Sequence, residues 1–80
     1  MRAKTPSYLQ LAAWIRGKID AGDYQPGHPI PSLQQLKGET GLAIETIRHA
    51  VRVLEAEGLV YAVSGRGTFV TARDQPKEAQ

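Results

Sequence analysis

The chain has 80 residues, 41% of them hydrophobic and 22% charged, with a formal net charge of +2 and an isoelectric point near 9.2. This length supports one small core, burying roughly 60% of the surface that the unfolded chain exposes. The absence of cysteine excludes disulfide frameworks, thiolate zinc sites and cysteine nucleophiles. His28 and His49 stand too far apart for a helical ligand pair, so neither metal nor cofactor is expected. The longest apolar run, Gly58 to Val63, is far short of a membrane span. Met1-Arg2-Ala3-Lys4-Thr5-Pro6 is charged but has no uninterrupted apolar stretch behind it to make a secretory signal. These observations predict a folded, soluble, cytoplasmic single domain whose mild basicity suits nucleic acid.

In chain order, residues 1–6 read as a flexible basic arm. A first helix begins at Ser7, taken as its N-cap, and carries Tyr8, Leu11, Ala12, Ile15 and Ile19 on one face. Gly22 ends it in a left-handed conformation. Pro26-Gly27 reads as a turn, and Ile30, between Pro29 and Pro31, as a very short edge strand. Ser32 opens a second, short helix with Gln35 completing a capping-box pattern; Leu33 and Leu36 supply its buried face. Gly41 stops it. The third helix sets Ile47, Ala50, Val51 and Leu54 on one stripe and Glu45, Arg48, His49 and Arg52 opposite, and Gly58 closes it. Leu59–Val63 and Thr68–Thr71 read as two strands joined by Ser64-Gly65-Arg66-Gly67, a hairpin signal. Residues 72–80 lack any apolar period and read as a disordered tail.

Three helices followed by a hairpin define a mainly α, winged helix-turn-helix layout over residues 7–71, with a glycine-containing turn between helices two and three. In that geometry the third helix enters the major groove of double-stranded DNA. The ordered pieces Gly22, Pro26-Gly27, Ile30-Pro31-Ser32, Leu36, Gly41, Thr46-Ile47-Arg48, Ala50, Leu54, Glu57-Gly58-Leu59-Val60 and Gly65-Arg66-Gly67-Thr68-Phe69-Val70 carry a family resemblance. Over roughly Tyr8 to Val70 the chain resembles the DNA-binding domain of the GntR family of bacterial transcription regulators. Its wing is most similar to the HutC and YtrA branches. The resemblance implies a sequence-specific regulator, more often a repressor, reading operator DNA in the cytoplasm at the nucleoid.

Two departures qualify what carries over. The family usually places a serine or threonine and then an arginine where Ala43-Ile44 stand here, and a glutamate where Leu33 stands. The family's base preference is therefore not transferred. Family members also carry a large C-terminal effector-binding and dimerisation domain, and only residues 71–80 follow Val70. No small-molecule site is expected within this chain.

The resemblance and the helical pattern together nominate the DNA contacts. Arg48 can bond a phosphate or pair with guanine O6 and N7; its bland alternative is a solvated arginine paired with Glu55. Thr46 approaches the backbone, or else bonds its own i−4 carbonyl. Glu45 either accepts from cytosine N4 or serves only as a favourable first-turn charge. His49 reads as an adaptable contact and Arg52 as a phosphate clamp. At the wing, Arg66 between Gly65 and Gly67, with Thr68 beside them, suits a narrow minor groove. Ser32 and Gln34, at the start of the second helix, form a phosphate seat, or Ser32 is simply a cap. Arg2 and Lys4 trail toward the backbone or are merely solvated.

Enzymatic readings find no support: Gly-Arg-Gly lacks the phosphate-loop spacing, and Ser64 with His49 sits in no triad motif. The rival class is a winged helix used as a protein-interaction module, favoured by Ala43, Ile44 and Glu45. Trp14 lies off the apolar stripe of the first helix, beside Ala13 and Gly17. It marks a candidate homodimer contact, the alternatives being packing on the tail near Ala72 or docking onto a further domain.

Overall fold

In the computed structural model, which describes residues 6–72, three helices precede a hairpin: α1 (Ser7–Ala21), α2 (Leu33–Thr40), α3 (Ile44–Ala56), β1 (Val60–Val63) and β2 (Gly67–Val70). This is the winged helix-turn-helix layout expected. The arm to residue 5, with Arg2 and Lys4, and the tail from residue 73 lie outside the described residues.

The apolar stripes become the core. Ile15 of α1, Leu36 of α2, Ile47 and Leu54 of α3, and Val70 of β2 are fully buried, so every helix and the hairpin contribute to one cluster. All four stripe residues of α3 are buried, as are Leu11, Ala12, Ile15 and Ile19 of α1. Tyr8 and Leu33 are half-buried against this cluster. The two inward valines of the hairpin, Val60 and Val70, face each other across the antiparallel register. The next pair, Tyr61 and Phe69, stacks on the other face of the hairpin, with ring centroids 5.9 Å apart.

The helix ends set the path of the chain. α1 closes with the Gly22 N–H donating to Ile19 O and the Asp23 N–H to Lys18 O. α3 closes in the same way, with Gly58 to Glu55 O and Leu59 to Leu54 O. Gly58 has φ +79°, a backbone state that an L side chain rarely adopts. It sends the chain from α3 directly into β1. Between α2 and α3 the Thr40 hydroxyl donates to Leu36 O at 2.7 Å and accepts the Leu42 N–H at 3.1 Å, lacing the turn on both sides.

Several boundaries differ from the sequence expectations. Ser7 does not cap α1: it is already helical, Pro6 occupies the cap position, and among the described residues no side-chain hydrogen bond caps the helix. Proline is tolerated there because its missing N–H has no helical partner to lose. The Ser32 Oγ does cap α2, accepting the Gln35 N–H at 3.1 Å, but the capping box is half made, since the Gln35 side chain turns to Glu39. The strands begin and end nearer the loop, at Val60 and Val70, with Gly67 included. The edge pairing centres on Pro29 opposite Phe69 instead of on Ile30. Its ladder uses the Ile30 N–H to Thr68 O and the Val70 N–H to His28 O, both 2.9 Å, so the proline's missing donor is not needed. The Pro26-Gly27 turn forms, closed by the His28 N–H on Gln25 O.

Candidate nucleic-acid interface

The division of α3 into two faces places Glu45, Arg48, His49 and Arg52 on the solvent side, with Thr46 half-buried at its edge. Arg48 pairs with Glu45 and not with Glu55, its Nε standing 3.7 Å from Glu45 Oε2. Two residues three apart on a helix face each other, which makes this the natural partner. The pair is exposed and contributes little to stability. Arg52 and Arg66 form no ion pair among the described residues.

His49 packs against the first helix. Its ring lies on that of Tyr8 with centroids 3.6 Å apart and planes 7° from parallel. The stack bridges the first turn of α1 and the outer face of α3, and it borders a recess of about 390 Å³ lined by Ser7, Tyr8, Glu45, Thr46 and His49. Among the described residues the Thr46 hydroxyl makes no bond to its i−4 carbonyl.

The wing and the start of α2 come together. A second recess, about 420 Å³, is lined by Ser32 and Leu33 from the start of α2, Val51 from α3, Arg66, Gly67 and Thr68 from the hairpin, and the Pro29-Ile30-Pro31 strip. Positive φ at Gly65 (+77°) and Gly67 (+120°) holds the loop tight around Arg66, whose N–H donates to Val63 O at 2.9 Å. The Ser32 hydroxyl accepts the capping bond and keeps its own proton to donate. Gln34 is exposed on the same first turn. Ser32, Arg66, Gly67 and Thr68 thus share one recess, while Glu45, Thr46 and His49 share the other.

Trp14 lies elsewhere on α1, 42% exposed, with Ala13 and Gly17 also exposed. The Lys18 ammonium stands 5.1 Å from its ring centroid, and a recess of about 420 Å³ lies beside it, lined in part by Leu11, Thr40 and Leu42. Among the described residues no cluster of three or more His, Cys, Asp or Glu could hold a metal ion, and no helix is long and apolar enough to cross a membrane.

Among the contacts not expected from the sequence are the Tyr8–His49 stack, the Thr40 lacing, and a fork between Arg16 and Glu57. Thr40 carried a signal, since a threonine at a helix end readily back-bonds to its i−4 carbonyl. The other two join distant positions and left no local trace.

The model of the bacterial regulatory proteins of the gntR family matches residues 7–70. The chain belongs to the gntR family. It is 40% identical over 79 residues to the arabinose metabolism transcriptional repressor of Geobacillus stearothermophilus, covering 98% of this chain and 21% of that protein. It is 37% identical over 75 residues to the HTH-type transcriptional repressor NagR of Bacillus subtilis, covering 94% of this chain and 30% of the relative. The chain therefore spans between a fifth and a third of the length of these gntR relatives. Among solved structures, AraR(DBD) in complex with operator ORX1 superposes with a TM-score of 0.82 at 33% identity, over 89% of this chain and 92% of that one. YtrA from Sulfolobus acidocaldarius, a GntR-family transcription factor, superposes with a TM-score of 0.79 at 32% identity, covering 89% and 74%.

Proposed function

We propose that this gntR-family chain is a sequence-specific DNA-binding unit of a transcription regulator, a repressor in its net effect. α3 lies in the major groove, and the wing rests on the adjacent backbone or minor groove. The observation that carries the reading is the recess that Ser32, Arg66, Gly67 and Thr68 share with Val51 of α3, since it brings a capped helix start and a glycine-flanked arginine together against α3. The likeness to AraR(DBD), solved in complex with operator ORX1, supports operator DNA as the ligand.

Arg48 takes a guanine edge or a phosphate, Arg52 and Thr46 the backbone, and Glu45 a cytosine N4. Ser32 and Gln34 seat a phosphate at the start of α2, and Arg66 enters the minor groove with Gly65, Gly67 and Thr68 around it. Residues 7–71 act as the binding domain, flanked by a basic arm and a tail. The role is binding and not catalysis, in the cytoplasm at the nucleoid. A homodimer through Trp14, Ala13 and Gly17 supplies the second reading head that a two-fold operator needs.

Selection of bound sequences from a random duplex pool, followed by titration at two salt concentrations, tests the reading. A defined motif is expected, with affinity falling at a log–log slope of about −0.9 per phosphate neutralised. Failure to enrich any sequence, together with salt-independent capture of a protein partner, would replace this reading with the protein-interaction module.

A further inference from the structure

We propose that Tyr8 is a positioning residue for base recognition: it holds the His49 ring as a fixed reading element on α3. The inference rests on the DNA-binding reading above. Tyr8 belongs to the first turn of α1, half-buried and packed against the core cluster, so its ring is anchored from below. His49 projects from the outer face of α3, the residue after Arg48 and one turn beyond Glu45. The two rings lie nearly parallel at 3.6 Å. An exposed histidine on a helix otherwise samples several rotamers, and ordering it on contact costs side-chain entropy. With one face of the imidazole covered by Tyr8, the ring plane is set before DNA arrives.

Only the ring edge, carrying both nitrogens, and the opposite face remain for a ligand. Through that edge one ring nitrogen can make a single hydrogen bond to a base-edge atom in the major groove. Glu45 and Thr46 line the same recess, so the fixed ring stands among the first-turn side chains that a recognition helix directs to bases. The stack also ties the outer face of α3 to α1, a second element, which a residue reaching out from α3 alone could not achieve.

The test is a double-mutant cycle read on sequences selected by the wild-type chain. Tyr8→Leu is expected to weaken binding of the selected site about 3- to 10-fold, matching the cost of immobilising one side chain, and to relax preference at a single base position. Tyr8→Phe, which keeps the stacked ring, retains both affinity and preference. His49→Ala produces a loss at least as large as Tyr8→Leu, since it removes the base contact itself, and adding Tyr8→Leu to it costs nothing further. In the free protein, the His49 ring protons are expected upfield in the NMR spectrum from the Tyr8 ring current, and to return toward ordinary positions in Tyr8→Leu. Unshifted His49 protons in the wild-type chain overturn the inference without reference to DNA. So does a Tyr8→Leu loss that is uniform over all sequences, or that persists in the His49→Ala background, since either makes Tyr8 only a packing residue. If the wild-type chain enriches no sequence while its His49 protons are shifted, the DNA-binding reading itself has failed, and base positioning falls with it.

Discussion

Arg16 and Glu57, 41 positions apart, form a two-pronged bridge between α1 and the end of α3: Arg16 Nε donates to Oε1 at 3.0 Å and Nη2 to Oε2 at 2.6 Å. Glu57 sits at the C-terminal cap of α3, where the helix dipole disfavours negative charge, and no basic residue occupies the last turn of α3. The guanidinium from α1 supplies the missing positive charge. Both side chains are more than a third exposed, so solvent screens the pair.

Removal of the two partners is therefore expected to be unequal. Arg16→Ala leaves Glu57 unpaired at an unfavourable helix end and should cost about 1 kcal/mol, at the upper limit for an exposed pair. Glu57→Gln removes the pair and the unfavourable charge together and should cost less. Arg16→Lys should not restore the loss, because an ammonium cannot reproduce the fork. Denaturant unfolding of the three variants gives the order, and equal losses for Arg16→Ala and Glu57→Gln would deny the dipole argument.

The two ends of the helix-turn-helix give a matched pair of capping predictions. Ser32 has φ −66° and ψ 165° and caps α2; Ala43 has φ −67° and ψ 149° and caps nothing. The backbone at Ala43 is already extended as a cap requires, so Ala43→Ser should stabilise the fold by roughly 0.5–2 kcal/mol, and Ser32→Ala should destabilise it by a similar amount. An unchanged melting temperature for Ala43→Ser would show that the first turn of α3 gains nothing from a hydroxyl.

Gly38 and Gly58 should respond to alanine with opposite signs, although neither Cβ would meet any atom within 4 Å. Gly38 lies inside α2 with ordinary helical φ, so Gly38→Ala should stabilise by about 1 kcal/mol through helix propensity. Gly58→Ala must hold φ near +79° and should cost about 1–2 kcal/mol. Thermal unfolding of both variants decides it.

On the proposed docking, variants of Arg48 and Arg66 should separate base reading from backbone holding. Arg48→Ala should cost about 1–3 kcal/mol of operator affinity and relax one base position. Arg66→Ala should weaken most sequences alike, or A·T-rich flanks most, and leave the major-groove preference intact. Sequence selection with each variant measures both effects, and a shift in the core motif with Arg66→Ala would assign major-groove reading to the wing.

Trp14→Ala should shift the chain toward monomer in sedimentation and weaken binding to paired half-sites more than to single ones, if its exposed ring and the recess beside it form a homodimer contact. A wild-type chain that stays monomeric at high concentration and binds paired sites without cooperativity would remove the patch from assembly.

The architecture was legible from period and punctuation. The two faces of α3 divide cleanly because its apolar residues recur every three or four positions, and burial follows that division residue by residue at Ile47, Ala50, Val51 and Leu54. Gly22, Gly41 and Gly58 marked the helix ends because left-handed backbone excludes most other residues. The Glu45–Arg48 pair was legible in principle, being a one-turn neighbour relation.

Tertiary packing alone decided the rest. The wing loop meets Ser32 across a recess, Arg16 meets Glu57, and Tyr8 covers one face of His49. No local period encodes these contacts, because each joins segments whose relative placement follows only from docking α1, α3 and the hairpin onto a common core. Side-chain periodicity reports which face of an element is buried; which distant side chain lies over an exposed one depends on how the elements pack.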